Sequence, residues 1–433
     1  MSTPGAFGAT GHSCVIVGAS AAGVAAALAM RGEGYGGTVT LVDADPHLPY
    51  ERPPLSKGLL GEGEDSTGLV PIQPAPVYDD LGIVLRLGER VVGIDPAGLS
   101  VRLSGGDVLG CSRLVLATGV AARRLTTPGA DAANVLSLRD AADAVRLNAQ
   151  LARGGPLVVI GAGFIGLELA AVARRHGIEV TVVEAQPHPL ASVLGPEVAS
   201  LLTELHRGHG VRLLTGVTVT EFLGSAAGVE AVRLSDGQRL PAATVVVGIG
   251  VRPRTELAAS ARLDTDQWGI PVNEFGQTSR AWIYATGDVA SQPHPHLTAR
   301  GRLEHWEAAQ RHGAAVGSTI GGSPVRYTDP PYAWSDQYDT TLQIIGRPRT
   351  GDDFVLRQGA EPGRFLAFWL RRGRVAAAAG MGVARDVGAV RRLIAGEVPV
   401  DGLALSDPGL DLRRTLKQHT MRHTVPTVRK GAA

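Results

Sequence analysis

The chain is poor in cysteine and in lysine, and each scarcity is informative. Its two cysteines, Cys14 and Cys111, form no CxxC pair and no metal-ligand spacing, which excludes a disulfide-stapled framework and a structural zinc site. Any redox chemistry must then come from a bound cofactor. Aromatic residues make up only 4% of the chain, and 42 basic side chains stand against 41 acidic ones, a balance that gives no footing for a polyanion partner. No uncharged apolar run reaches the roughly 18 residues a membrane span needs. The run from Cys14 to Met30 carries no charge, but no Lys or Arg precedes Arg31 and glycines interrupt it, so the expected location is cytoplasmic.

What is abundant is glycine, 57 of 433 residues, which points to tight turns and close backbone approaches. With 44% hydrophobic and 19% charged residues, the composition is that of a globular protein of two or three domains. Residues 1–12 carry no periodicity and are expected to form a flexible arm.

One unit occurs twice. CVIVGASAAGVAAALAMRG reads as strand, glycine turn and alanine-rich helix and is followed by the strand TVTLVDAD; later, LVVIGAGFIGLELAAVARRHG is followed by VTVVEAQ. A crossover helix makes its two strands parallel and covered on both faces, hence continuous Val, Ile and Leu rather than alternation. Two such units predict two dinucleotide sites. Beyond Pro330, the segments WSDQYDTTLQIIG, FLAFWLRRG and VAAAAGMGV read as antiparallel strands, followed by a helix near DVGAVRRLIAG.

In the first turn Gly18 and Gly23 keep the outer glycines of GxGxxG, with Ser20 in the middle place. A small residue there still lets a pyrophosphate reach the free N–H groups at the helix start. The second turn matches fully at Gly161, Gly163 and Gly166, with Ile165 inside it. Glu184 follows where a ribose-binding acid belongs. A carboxylate accepts bonds from both ribose hydroxyls and repels a 2′-phosphate, which favours NADH over NADPH. In the first unit the acid is Asp43, at the strand end, or Asp45, two residues on. Only three lysines occur beside 39 arginines, so Lys57, in the proline-stiffened RPPLSK, marks a place that wants a compact ammonium. The run SQPHPHLTAR reads as a loop rather than a metal site, because His294 and His296 flank a proline.

In order along the chain, RPPLSK, LVLATG, GAGFIGLE, GIGVRP, ATGDVA, RLEHW and WSDQYD resemble the FAD-dependent NADH:ferredoxin reductases of oxygenase and haem monooxygenase systems, from Ser13 to about Ile394. The resemblance implies an α/β fold of two Rossmann-like dinucleotide-binding domains, of the glutathione-reductase kind, plus an α+β C-terminal domain. It implies an FAD-binding domain at 13–118 and 252–326, an NADH-binding domain at 119–251, and a C-terminal domain at 327–433 with a basic tail.

It also implies roles. Ala22 and Gly23 resemble the turn under the FAD pyrophosphate, Arg52 and Lys57 its loop contacts, Val91 an adenine-side contact, and Arg139 an arginine that reaches the flavin. Asp288 resembles the carboxylate on a sugar-alcohol hydroxyl, and Trp306 the aromatic at the flavin edge, on a helix whose dipole favours negative charge there. Lys57 and Glu168 resemble a charge pair beside the flavin, with Glu168 near the nicotinamide, and Gly250 in GIGVRP joins the cofactor contacts. One departure stands out: Ala44 occupies the place where the family commonly has an acid.

The implied activity is hydride transfer from NADH to FAD and single-electron delivery to a [2Fe–2S] ferredoxin. The disulfide-reducing relatives carry a cysteine pair near the loop that here reads ERPPLSKG, so thiol exchange is excluded. The alternatives are an NADH oxidase without a protein acceptor, or a flavin redox sensor resembling apoptosis-inducing factor. Residues 327–433 hold 16 basic and 11 acidic side chains, an excess that offers Arg371, Arg372 and Arg374 as ferredoxin-steering candidates.

Overall fold

The computed structural model describes residues 12–58, 69–225, 227–359 and 361–413. The expected N-terminal arm, apart from His12, and the basic tail beyond Arg413 lie outside the described residues.

The two repeated units form two five-stranded parallel sheets. In the first, the order is Ile283–Ala285, Arg113–Leu116, Ser13–Val17, Thr38–Asp43, Ile83–Leu87. In the second it is Arg212–Thr215, Val180–Glu184, Leu157–Ile160, Thr244–Val247, Val135–Leu136. In both, the strand leading into the glycine turn lies at the centre, and all or nearly all of its residues are buried, as the unbroken apolar runs required. Each sheet is accompanied by a three-stranded antiparallel sheet, Val91–Asp95 with Ser100–Leu103 and Val108–Gly110, and Val219–Ser225 with Gly228–Leu234 and Arg239–Pro241. The chain passes from the first unit to the second and back through Val120–Ala122 and Val251–Pro253, which pair antiparallel.

The helix Trp306–Gly321 returns to the first unit and lies against the first-turn helix, Ala21–Gly32. The approach is so close that a Cβ on Gly313 or Gly317 would stand 2.2 Å from the carbonyl oxygen of Ala22 or Ala26. Any side chain at either glycine would push the helices apart.

The C-terminal unit is a five-stranded antiparallel sheet in the order Tyr332–Gln337, Thr340–Gly346, Arg374–Met381, Phe365–Arg371, Asp353–Gln358. One face packs on the helix Ala384–Ala395 through Phe368, Val390 and Leu393. The other, through Ala333, Leu342 and Trp369, joins the core of the second unit. Among the described residues no helix is long and apolar enough to cross a membrane.

Candidate functional site

The two glycine turns have nearly the same internal bonding. Gly18 and Gly161 take φ of +109° and +103°, a region side chains resist, and donate to Val42 and Val183 carbonyls, each at 2.8 Å. The acid ending the next strand then clasps the turn. Asp43 accepts from the Ala19 amide at 2.6 Å and the Asp45 amide at 2.9 Å; Glu184 accepts from the Ala162 amide at 2.7 Å and the Gln186 amide at 2.8 Å. Ser20 and Gly163 stand at matching places, as the N-caps of the following helices.

Their surroundings differ. The first turn opens into a cavity of about 750 Å³ whose wall includes Gly18, Ser20, Ala22, Asp43, Arg52, Lys57, Val91, Arg139, Ile165, Glu168, Asp288 and Trp306. Gly23 is packed beneath the turn, its Cβ position 1.9 Å from the Gly18 carbonyl oxygen. Asp45 lies outside this cavity, accepting from the Tyr50 hydroxyl at 2.8 Å and meeting His47 Nδ1 at 2.6 Å. Of the two candidate acids, Asp43 is the one that borders the cavity. Gly161, Gly163, Gly166, Glu184 and Gly250 do not line it. The helix that follows the second turn does reach it, through Phe164, Ile165 and Glu168.

Arg139 is set in place by local bonding. Asp140 caps the helix Ala141–Leu151 by accepting from the Asp143 amide, while the Asp143 carboxylate accepts from the Arg139 amide at 2.9 Å. Tyr50 ties this corner to the RPPLSK loop by accepting from the Ala141 amide at 3.0 Å. Arg52 bridges the two, donating to the Arg139 carbonyl at 2.9 Å and to Ser20 Oγ at 3.2 Å. The Arg139 guanidinium lies 3.6 Å from Asp288, but its Nε is buried without a partner, as is Thr286 Oγ1 on the same wall. Burial, with Arg52 adding to it, pushes Arg139 down to about 10, and burial pushes the Asp288 carboxyl up against the opposing pull of Arg139. Uncompensated buried donors are rare because each costs about 1–3 kcal/mol. This wall is built for a polar occupant.

At the other end sits a charge cluster that sequence reasoning saw only in part. Lys57 lies 3.4 Å from Glu168, the expected pair, but its shorter contact is Asp336, at 2.6 Å. Glu168 also accepts from the Ser56 hydroxyl and, at 2.7 Å, from the Ser335 hydroxyl. Ser56, Ser335 and Asp336 were missed as site residues. WSDQYD carried a signal, since Ser335 and Gln337, two apart on one strand, place polar side chains on a face that is wholly buried.

The steering arginines need correction. Arg371 is tied to Asp352 by two bonds, at 2.8 and 2.6 Å, and Arg374 to Glu397 at 2.7 Å, leaving Arg372 exposed at the hairpin turn. Residues 327–413 hold 11 side chains of each sign, so the excess lies wholly beyond Arg413. The fields of Arg371 and Arg374 are largely cancelled by their partners. Cys14 and Cys111 are free, buried and absent from the cavity wall; burial raises both thiols, Cys111 up to about 12. Among the described residues no group of three His, Cys, Asp or Glu side chains is arranged to hold a metal ion.

Residues 12–313 match the family described as pyridine nucleotide-disulphide oxidoreductase, and residues 332–416 the family described as reductase C-terminal. Rhodocoxin reductase of Rhodococcus erythropolis is 38% identical over 414 residues, covering 95% of this chain and 96% of its own. The ferredoxin–NAD(+) reductase component of the p-cumate 2,3-dioxygenase system of Pseudomonas putida is 38% identical over 402 residues, covering 92% and 97%. Among solved structures, the covalent putidaredoxin reductase–putidaredoxin complex matches with a TM-score of 0.89 at 33% identity, covering 94% of this chain and 99% of the other.

Proposed function

The chain belongs to the pyridine nucleotide-disulphide oxidoreductase family, and from that premise we propose that it is an FAD-dependent NADH:ferredoxin oxidoreductase, serving an oxygenase or haem monooxygenase through a [2Fe–2S] ferredoxin. The observation that carries this reading is the cavity wall at the first turn. Arg139 Nε and Thr286 Oγ1 are buried without partners there, Asp288 stands beside them, and apolar side chains such as Leu138 and Phe164 line the same space. Such a mixture suits a dinucleotide that carries a flat ring system.

In this reading 13–118 and 252–326 hold FAD, 119–251 hold NADH, and the unit from 327 closes the cavity with Ala333 and Trp334. When bound, FAD supplies the step that accepts a hydride from NADH and releases the two electrons one at a time. The protein's part is placement and electrostatics. The first-turn amides, with Ser20 and Ala22, receive the pyrophosphate, and Arg52, Arg139 and Asp288 fix the chain beyond it. The helix that begins at Trp306 directs its positive end toward the cavity, which favours negative charge there. The second turn and Glu184 hold the nicotinamide dinucleotide, and their helix brings Phe164, Ile165 and Glu168 to the shared space. No sulfur takes part, since neither cysteine lies on the wall. A cytoplasmic location suits a chain whose two cysteines are both free.

The test is an absorbance spectrum before and after NADH, then cytochrome c reduction with and without an added [2Fe–2S] ferredoxin. A yellow protein bleached by NADH, reducing cytochrome c quickly only with the ferredoxin, is expected. A colourless protein that stays inert after FAD is supplied would overturn the reading.

A further inference from the structure

Glu168 stands at one end of a buried hydrogen-bonded chain that joins all three units. The Ser335 hydroxyl donates to Glu168 at 2.7 Å, the Gln337 amide nitrogen donates to Ser335 at 2.8 Å, and His206 Nε2 meets the Gln337 carbonyl oxygen at 2.9 Å. The Tyr338 hydroxyl meets His206 Nδ1 at 3.0 Å. Glu168 and His206 lie on helices of the second unit, Ser335 to Tyr338 on a C-terminal hairpin, and Ser56 and Lys57, at the near end, on the short first-unit helix Pro54–Lys57. Ser335, Gln337 and His206 are all fully buried.

The donors have a single consistent direction. The Gln337 amide can donate to Ser335 only from its nitrogen, so its oxygen is left for His206 Nε2–H. That proton placement leaves Nδ1 bare to accept from Tyr338. Burial pushes His206 down to about 4, so at neutral pH it is the uncharged imidazole this arrangement needs. Every donor points toward the carboxylate.

The far end is strained. Tyr338 takes φ of +58° in the two-residue turn between Gln337 and Thr340, a place where Asn or Gly is the ordinary choice. Its ring stacks on His209 at 3.6 Å and its hydroxyl reaches His206. An uncommon conformation held by two specific contacts is what an anchoring point requires.

We propose that Ser335, Gln337 and His206 are positioning residues for the reductase reaction: the hairpin, anchored on His206, fixes the rotamer of Glu168 beside Lys57 on the cavity wall. The proposal rests on the function given above and deepens it. Without the Ser335 bond the carboxylate keeps Ser56 on one oxygen but holds the other only through the longer Lys57 contact, so it can rotate, and misplacement of a group beside reacting rings slows a step governed by positioning.

The test compares Ser335→Ala with Ser335→Thr in the flavin-loaded protein, with Gln337→Met as a second probe further from the cavity. The rate of bleaching by NADH is read by stopped flow, and the visible circular dichroism of the oxidised flavin, without NADH, is read at equilibrium. Ser335→Ala should lower the limiting bleaching rate roughly tenfold, the effect of one lost buried hydrogen bond, and change the dichroism, with the half-saturating NADH concentration little altered. Ser335→Thr, which keeps the hydroxyl, should restore both, and Gln337→Met should fall between. Ser335→Ala matching wild type in rate and dichroism, or Ser335→Thr failing as badly as Ser335→Ala, would overturn the positioning role while wild-type bleaching leaves the parent function standing. Wild-type protein that NADH does not bleach removes both.

Discussion

The two glycine turns differ little within themselves and greatly in what surrounds them. Asp43 and Glu184 clasp their turns through corresponding amides at distances that agree within 0.1 Å. Yet Gly18 opens into the cavity beneath Arg52, Arg139, Thr286 and the Trp306 helix, whereas Gly161 lies outside it and only the helix beyond reaches in. A local motif makes the turn. The elements folded over it decide what the turn faces, so the first turn fronts a roofed cavity that the second unit reaches only through its helix.

The sharpest way to break this comparison is to place the same charge at the same position of each turn. A glutamate at a helix N-cap position is compatible with the helix dipole but blocks a pyrophosphate. At Gly163 a new Cβ would meet nothing nearer than 4.0 Å, so the fold survives. Ser20→Glu should yield folded protein without flavin; Gly163→Glu should yield yellow protein that NADH does not bleach. Absorbance spectra and far-ultraviolet circular dichroism read both, and loss of the same property by both variants would end the distinction.

Removing the roof is expected to act next in size. Arg139→Met discards the buried, partnerless Nε and the neighbour of Asp288. FAD should bind at least about tenfold more weakly, the scale of one charge-assisted bond, by equilibrium dialysis, while NAD+ affinity in the reconstituted protein is unchanged.

A smaller effect follows from the acids. Glu184→Gln should reduce the preference for NADH over NADPH by about tenfold in kcat/KM without altering flavin content. Asp43→Asn should lower flavin content and leave nicotinamide choice intact. Crossed outcomes would show that the turns do not hold different nucleotides.

The smallest effect is with acid. His294 and His312, with the first unit, and His206, in the second, are buried and pushed down by burial to about 4, 3 and 4. Between those values and the unfolded value near 6.5 the unfolded chain binds more protons, so their contribution is complete above pH 6.5 and is lost as pH falls toward 4. His312 Nδ1 accepts from the Gly287 amide, next to Asp288, so the first site loosens with it. The melting temperature should drop by a few degrees or more from pH 7 to 5 but hold between 7 and 8, with flavin fluorescence appearing at the acid end. A flat profile from 5 to 7 would contradict this.

The turns, the parallel sheets and the antiparallel C-terminal unit were legible because each depends on residues close in sequence: glycine spacing, apolar runs and alternation. The Lys57–Glu168 pair was legible through resemblance alone, as its members lie 111 residues apart. The Ser335–Gln337–His206 chain was not legible, since Ser335 and Glu168 are separated by 167 residues and no local rule relates them. The arginine excess misled for the same reason. A count of charges does not say which are already paired.

By itself the sequence determined the two glycine turns, the acids that clasp them and the lack of a CxxC pair, because backbone sterics and hydrogen bonding within one βαβ unit are local. Only the tertiary structure decided that Asp43 rather than Asp45 borders the cavity, that Lys57 turns to Asp336 as well as Glu168, and that a C-terminal hairpin braces the carboxylate. Those outcomes depend on which distant segments pack together, and that is settled by burial across the three units rather than by any neighbouring residue.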